Sequence, residues 1–257
     1  MKKIIKYTFI ALVSIYLLIN IFLFFLQKDL LYFPDKTNFY SCKNFSQDEM
    51  KTYKNTRFYG VKWEKNNVIV FFHWNAWRAC DRKHILENLK KTWNSIIFVE
   101  YDGYADNKSP NIQKILKNVE EIWEYVSNRN FDKVFVMWRS LWTWPASYFA
   151  WKYRTDKLLL ISPYDELYKV AQEKYPIFPV KLLFTENFTS KDYLQNYTWN
   201  VLIVHWKSDR VIPYNHWLDL YNSLNTKNKN IILLENIGHS NIFTQKVNEK
   251  IVEYFKN

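Results

Sequence analysis

Residues 133–146 read KVFVMWRSLWTWPA. The opening KVFVM is an apolar run of strand length, and residues 145–153 continue as a helix. Ser140 therefore stands between a strand and a helix. A chain that makes this passage within a few residues must turn tightly, and such a turn lifts the serine hydroxyl out of the sheet. The N–H of the next residue, Leu141, is then placed to hold a developing oxyanion. A turn of this kind needs small residues two positions before and two after the serine, because larger side chains collide with the neighbouring strand and helix. Both positions are tryptophan, Trp138 and Trp142.

Tryptophan recurs at matching places on either side. Residues 68–73 (VIVFFH) form a continuous apolar strand followed by Trp74-Asn75-Ala76-Trp77. With glycine at both tryptophans the turn would be H-G-N-A-G, which supplies a second oxyanion N–H from Asn75 or from position 74. Residues 201–205 (VLIVH) lead into Trp206-Lys207-Ser208-Asp209, and glycine at 206 gives an H-G-x-x-D loop that delivers an acid. After the apolar run 230–234 (NIILL), Ile237-Gly238-His239-Ser240-Asn241 keeps its glycine and offers a histidine. Ser140, Asp209 and His239, in that chain order, have the residue types of a nucleophile, an orienting acid and a general base for acyl transfer.

The composition bears on the same point. The chain has 257 residues with 3 Gly and 12 Trp, whereas ordinary glycine usage of roughly 7% would give about 18. Reading Trp as glycine at 74, 77, 138, 142, 144 and 206 restores all these turns at once, each at the end of its strand. UGA, a stop codon that some bacterial lineages reassign, is the natural candidate for a codon read as glycine in the cell and written here as tryptophan.

The remaining chain alternates strands and helices. Further strands are expected at 95–101 and 157–161, and helices at 80–91, 110–128, 214–224 and 242–255, with Ser109 capping the second of these and Pro110 in its first turn. Strands apolar on both faces, alternating with helices, indicate a mostly parallel sheet covered on both sides. Residues 163–200 interrupt the rhythm with many aromatics and read as a lid insertion or as a long crossover. The net charge of +11 comes from scattered lysines with no basic run, so nucleic acid is not an expected partner. No clustered His and acid set suggests a metal. His73 and His205 read as packing and turn residues, and His84 and His216 as surface residues on helices. Cys42 and Cys80 could be bridged or free.

Residues 7–26 (YTFIALVSIYLLINIFLFFL) carry no charge. At 1.5 Å per residue they span about 30 Å, the hydrocarbon thickness of a bilayer. The run is too long for the apolar core of a signal peptide and lacks a small-residue cleavage site, so an uncleaved anchor is expected. Lys2, Lys3 and Lys6 precede it and Lys28 and Lys36 follow, which puts the N-terminus in the cytoplasm and the large domain outside. The division is then 1–27 for the tip and anchor and 28–257 for one domain.

Residues 27–257 resemble the membrane-anchored, serine aminopeptidase-like branch of the α/β-hydrolase superfamily. The resemblance rests on Leu30-Leu31-Tyr32-Phe33-Pro34, Tyr101-Asp102-Gly103-Tyr104, Arg139-Ser140-Leu141 with Pro145-Ala146, Ser208-Asp209 with Val211-Ile212-Pro213, and Gly238-His239-Ser240-Asn241. Ala105 departs from it, standing where glycine is expected. The resemblance implies an α/β-hydrolase fold behind one transmembrane helix, with Ser140, Asp209 and His239 as the triad. It also implies an oxyanion hole from the N–H groups of Leu141 and of Asn75 or Trp74, and no cofactor or metal. The expected substrate is an ester, thioester or amide, and the anchor and aromatic lid favour an acylated or lipid-like one. If the tryptophans are genuine, the alternative is a non-catalytic, membrane-tethered binding domain of the same fold.

Peptide mass spectrometry of the protein isolated from its own cells should find glycine at 74, 77, 138, 142, 144 and 206. Tryptophan at 138 and 142 in native peptides that still hydrolyse esters through Ser140 would overturn the glycine reading.

Overall fold

The apolar runs picked out above are neighbours in one sheet. In the computed structural model, which describes residues 1–186, 188–235 and 242–256, a long helix α1 (Lys2–Leu31) comes first. An edge hairpin follows, β1 (Met50–Tyr53) and β2 (Thr56–Val61). Then come β3 (Lys65–Phe72), α2 (Lys83–Leu89), β4 (Asn94–Glu100), α3 (Ile112–Ser127), β5 (Lys133–Arg139) and α4 (Thr143–Tyr153). The strand β6 (Lys157–Ile161) is separated from β7 (Asn200–Trp206) by three short helices, α5 (Leu167–Lys174), α6 (Val180–Leu183) and α7 (Lys191–Leu194). The chain continues through α8 (Tyr214–Ser223), β8 (Lys229–Leu234) and α9 (Gln245–Lys256).

Among the described residues the sheet runs β1-β2-β4-β3-β5-β6-β7-β8, with β1 and β2 antiparallel to their neighbours and the rest parallel. Alternate side chains of each strand enter opposite cores, as a period of two requires. Val68, Val70 and Phe72 of β3 join Ile115, Val119 and Ile122 of α3 and Phe149 of α4. Ile69 and Phe71 join Ile85, Leu86 and Leu89 of α2 and Val247, Ile251 and Phe255 of α9.

The edge hairpin is absent from the sequence reading. Its first strand is MKTY, with only Met50 buried, so it shows neither a continuous apolar run nor a clean alternation. The cap of α3 also differs from expectation. Asn111, not Ser109, accepts the Lys114 N–H at 2.9 Å, and Pro110 lies before the first turn. The closing helix starts at Gln245, and Ile242 is buried in the core ahead of it.

Helix α1 is apolar and long enough to cross a membrane, with little of its surface covered by the rest of the chain. It does not stand free, however. Tyr16 stacks on Phe178 at 6.2 Å and donates to the Ile177 carbonyl at 2.8 Å. Gln27 donates to the Leu183 carbonyl at 3.1 Å and accepts the Thr185 N–H at 2.8 Å. The 177–185 segment thus rests on the stretch of α1 from Tyr16 to Gln27. Asn20, the one amide in the apolar run, donates through Nδ2 to the Tyr16 carbonyl one turn back at 2.7 Å, while its Oδ1 is buried without a donor among the described residues.

Cys42 and Cys80 are joined across a separation of 38 residues. Two tryptophans sit in the left-handed backbone region, Trp77 at φ 83° and Trp93 at φ 65°. A side chain with a Cβ pays roughly 1–2 kcal/mol there and glycine does not. Trp93 follows the turn after α2, a position where a left-handed glycine commonly ends a helix. It was not among the positions read as glycine, because no turn motif surrounds it.

Reduction of the bridge, or Cys42→Ser with Cys80→Ser, should cost about 3–4 kcal/mol in chemical denaturation, from the loop-closure entropy of the unfolded chain. Trp77→Gly and Trp93→Gly should each raise stability by about 1 kcal/mol, since both indoles are largely exposed (60% and 44%) and pack little. Trp217→Gly, in the buried face of α8, should instead lose at least about 3 kcal/mol. Equal losses at all three positions in urea titrations would refute the backbone argument.

Candidate active site

β5 ends at Arg139, and the next residue reverses the chain. Ser140 has φ 63°, and α4 begins three residues later. A non-glycine residue in this region stores strain that the surrounding structure must hold in place. The hold is visible locally: Thr143 Oγ1 donates to the Ser140 carbonyl at 2.6 Å, and Ser147 Oγ donates to the Thr143 carbonyl at 2.9 Å. The parallel register beside β3 and β6 fixes where the strand stops. Ser140 faces a cleft of about 740 Å³ bordered by Trp74, Asn75, Arg82, Arg139, Ile212 and Phe243. Leu141 follows Ser140 directly in the turn.

The opposite wall of the cleft is the loop after β3. The sequence reading used only the backbone N–H of Asn75 or Trp74, but the Asn75 side chain is the busier part. Its Oδ1 accepts from the Tyr104 hydroxyl at 2.7 Å, from the Phe33 N–H at 3.1 Å and from the Ala76 N–H at 3.0 Å. Its Nδ2 donates to the Leu31 carbonyl at 2.7 Å. One carboxamide thus ties the exit of α1 to the loop facing Ser140. Tyr32 strengthens the tie by donating to the buried Glu186, which also accepts the Ile112 N–H at 2.9 Å and pairs with Lys28 at 3.5 Å. Burial and then Glu186 hold the Tyr32 phenol well above its usual pKa, so it stays the donor. The turn motif after β3 singles out Asn75 in the sequence, but the four partners of its side chain could not be read from it.

Asp209 is buried in the loop after β7, at the same edge of the sheet. Its Oδ1 accepts the N–H groups of Val211 at 2.7 Å and Ile212 at 3.0 Å, which fixes the carboxylate. His205 Nε2 lies 3.9 Å from Asp209 Oδ2. Burial pushes the Arg139 guanidinium down to about 10, and the charge of Asp209 opposes this, so the two charges sense each other across the elbow. His239, with Gly238, Ser240 and Asn241, lies outside the described residues. The structure thus brings the Ser140 turn, the Asp209 loop and the Asn75 loop to one edge.

Other histidines fall as follows. His73 is buried with Nε2 3.0 Å from Glu100 Oε1, and Glu100 also accepts the Ala79 N–H at 3.0 Å. His216 is not a surface residue as expected. It is buried, with Nδ1 3.2 Å from Asp165 and Nε2 3.0 Å from Glu173. Burial disfavours its charged form, but the two carboxylates outweigh this and raise its pKa. The single-sequence pattern of α8 could not show that Asp165, beyond β6, would meet it. His84 is exposed on α2 and also borders the cleft, 6.3 Å from the Trp74 ring. No group of three or more His, Cys, Asp or Glu suited to a metal occurs among the described residues.

The tryptophans divide into two sets. Trp74 and Trp77 border the cleft, whereas Trp138, Trp142, Trp144 and Trp206 are at most 1% exposed within the core. Only the first two therefore crowd the mouth of the cleft. The interior set is packed rather than expelled: Trp142 stacks on Tyr101 at 5.0 Å and Trp144 on Phe188 at 4.6 Å. Its cost appears in hydrogen bonding. The indole N–H groups of Trp138, Trp142 and Trp144 are buried with no acceptor among the described residues, and each such group costs roughly 1–3 kcal/mol.

No family model matches the chain. A protein of Acanthamoeba polyphaga mimivirus described as an alpha/beta hydrolase is 25% identical, over 74% of this chain and 76% of its own length. The Paleococcus ferrophilus monoacylglycerol lipase superposes with a TM-score of 0.61 at 14% identity, covering 79% of this chain and 98% of the lipase. A Pyrococcus furiosus esterase superposes with a TM-score of 0.69 at 11% identity, covering 88% of this chain and 97% of the esterase. The parallel sheet, the strained serine turn after β5 and these likenesses together show that the chain has the α/β-hydrolase fold.

Proposed function

We propose that the protein is a membrane-anchored serine hydrolase that cleaves an ester, thioester or amide through an acyl-enzyme on Ser140. The observation that carries this reading is the left-handed backbone of Ser140, held at the end of β5 and facing the cleft. In this mechanism His239 takes the proton from Ser140 Oγ as the oxygen attacks the carbonyl carbon. The tetrahedral oxyanion is held by the N–H of Leu141 and by that of Asn75 or Trp74. Collapse breaks the bond to the leaving group, which receives the proton from His239. Water, deprotonated by the same imidazole, then releases the acyl group. Asp209, already fixed by two backbone N–H groups, orients His239 and stabilises its cation.

A lipid-like or acylated substrate is supported by where the cleft opens. Leu30, Leu31 and Phe33, the residues leaving α1, border it together with Leu167, Val170 and Tyr175 of the 163–200 insertion. An apolar chain leaving a bilayer at the anchor would meet the cleft without crossing water. We read the insertion as the lid over the site. The Cys42–Cys80 bridge supports a domain on the oxidising side of the membrane, in agreement with the lysines before α1. The φ of Trp77 supports glycine at that position in the cell. The complete burial of Trp138, Trp142, Trp144 and Trp206 in an intact fold favours a second reading, a non-catalytic binding domain that keeps genuine tryptophans.

A fluorophosphonate probe separates the two. The full chain with glycine at 74, 77, 138, 142, 144 and 206 should be labelled at Ser140, and Ser140→Ala should abolish both labelling and ester hydrolysis. Asp209→Asn should lower kcat by about 10³–10⁴-fold with the fold intact. A glycine form that folds yet leaves Ser140 unlabelled and hydrolyses no ester would sink the serine-hydrolase reading.

A further inference from the structure

Two arginines border the cleft beside Ser140, and both are 5% exposed. Arg139 precedes the serine on β5. Arg82 comes from the turn that leads into α2, and its Nη2 donates to the Ala76 carbonyl at 2.7 Å. Among the described residues Arg82 Nε is buried without an acceptor, and no carboxylate lies within ion-pair distance of this guanidinium. The acids near Arg82 are engaged elsewhere: Asp81 with Arg78, and Glu100 with His73 and Ala79.

Both guanidiniums pack on one ring. The Arg82 Cζ is 3.7 Å and the Arg139 Cζ 4.5 Å from the centre of the Trp74 indole. A desolvated cation needs compensation, and here the face of an indole supplies part of it. With glycine at 74 that ring is gone, and the space it fills lies against both guanidiniums and within the same cleft as Ser140. Burial, and next the charge of Arg139, press the Arg82 guanidinium to lose its proton, so added negative charge in this space would stabilise its charged form.

We propose that Arg82 and Arg139 form an anion subsite in the place of the Trp74 indole, so that the substrate acylating Ser140 carries a carboxylate or phosphate close to its scissile bond. This deepens the serine-hydrolase reading and rests on it together with glycine at 74. A planar guanidinium pair suits either anion, because each offers paired N–H donors to paired oxygens.

The test uses the full-length glycine form in detergent with two chromogenic esters of equal length, neutral p-nitrophenyl butyrate and anionic mono-p-nitrophenyl succinate. The anionic ester should be favoured by about 10- to 100-fold in kcat/KM, mainly through KM, and Arg82→Met should bring the ratio close to one. Arg82→Lys should retain part of the preference. The ratio is insensitive to partial misfolding, since inactive protein lowers both rates alike. Calorimetric titration of the Ser140→Ala form with monobutyl succinate and monobutyl phosphate reads the subsite without catalysis and tells which anion is preferred. Binding that Arg82→Met weakens at least 10-fold supports the proposal even if no ester is hydrolysed, an outcome that would count only against the serine reading. Absence of anion preference in both assays, or a preference that Arg82→Met leaves unchanged, overturns it.

Discussion

A parallel sheet buried on both faces is the constraint from which the rest of this molecule follows. Its parallel strands, β3 to β8, cannot be joined by hairpins, so each must return through a helix or a long loop. All the loops that follow β3, β5 and β7 therefore gather at one edge. The strand positions are set by backbone pairing and by side chains that leave no room for slippage: Val136, Met137 and Trp138 of β5 face Leu158, Leu159 and Leu160 of β6 in register. A one-residue shift would exchange the two cores. The strain at Ser140 is affordable because that register, the Thr143 hydroxyl and the start of α4 determine the turn from both sides.

The second organising feature is the coupling of the anchor to the site. In a simple tether the transmembrane helix would end in a flexible linker. Here the chain passes from Leu31 directly into a network with Asn75, Tyr104 and Glu186. The 177–185 segment rests on the same helix. The cleft mouth is consequently fixed relative to the long apolar helix α1, because their mutual orientation is set by hydrogen bonds and not by diffusion about a linker.

The tryptophans illustrate how tolerant a large core can be. The indoles at 138, 142 and 144 are enclosed by Phe72, Tyr101, Phe188 and their neighbours, and that at 206 is buried in the opposite core, without expulsion. Volume alone therefore does not exclude them, and the steric argument from the serine motif is too simple. Unsatisfied indole N–H groups do not mark these positions either, since Trp63 and Trp217 share them. The better physical indicator is conformational, an indole on a left-handed backbone, as at 77 and at 93, where no motif surrounds it.

The sequence by itself determined the alternation of strands and helices, the apolar anchor, the serine turn after KVFVM and the acid loop after VLIVH. Each is a local pattern in which residue type and period dictate conformation or burial. It did not determine the edge hairpin, because MKTY lies half in solvent and carries no clear period. It placed His216 on the surface, whereas Asp165 and Glu173 reach it from a distant part of the chain. Only the tertiary structure decided that Cys42 meets Cys80, that Asn75 binds the anchor exit, and that Arg82 and Arg139 share one ring beside Ser140. Those are contacts between segments far apart in the chain, and their geometry exists only once the sheet has fixed the loops that carry them.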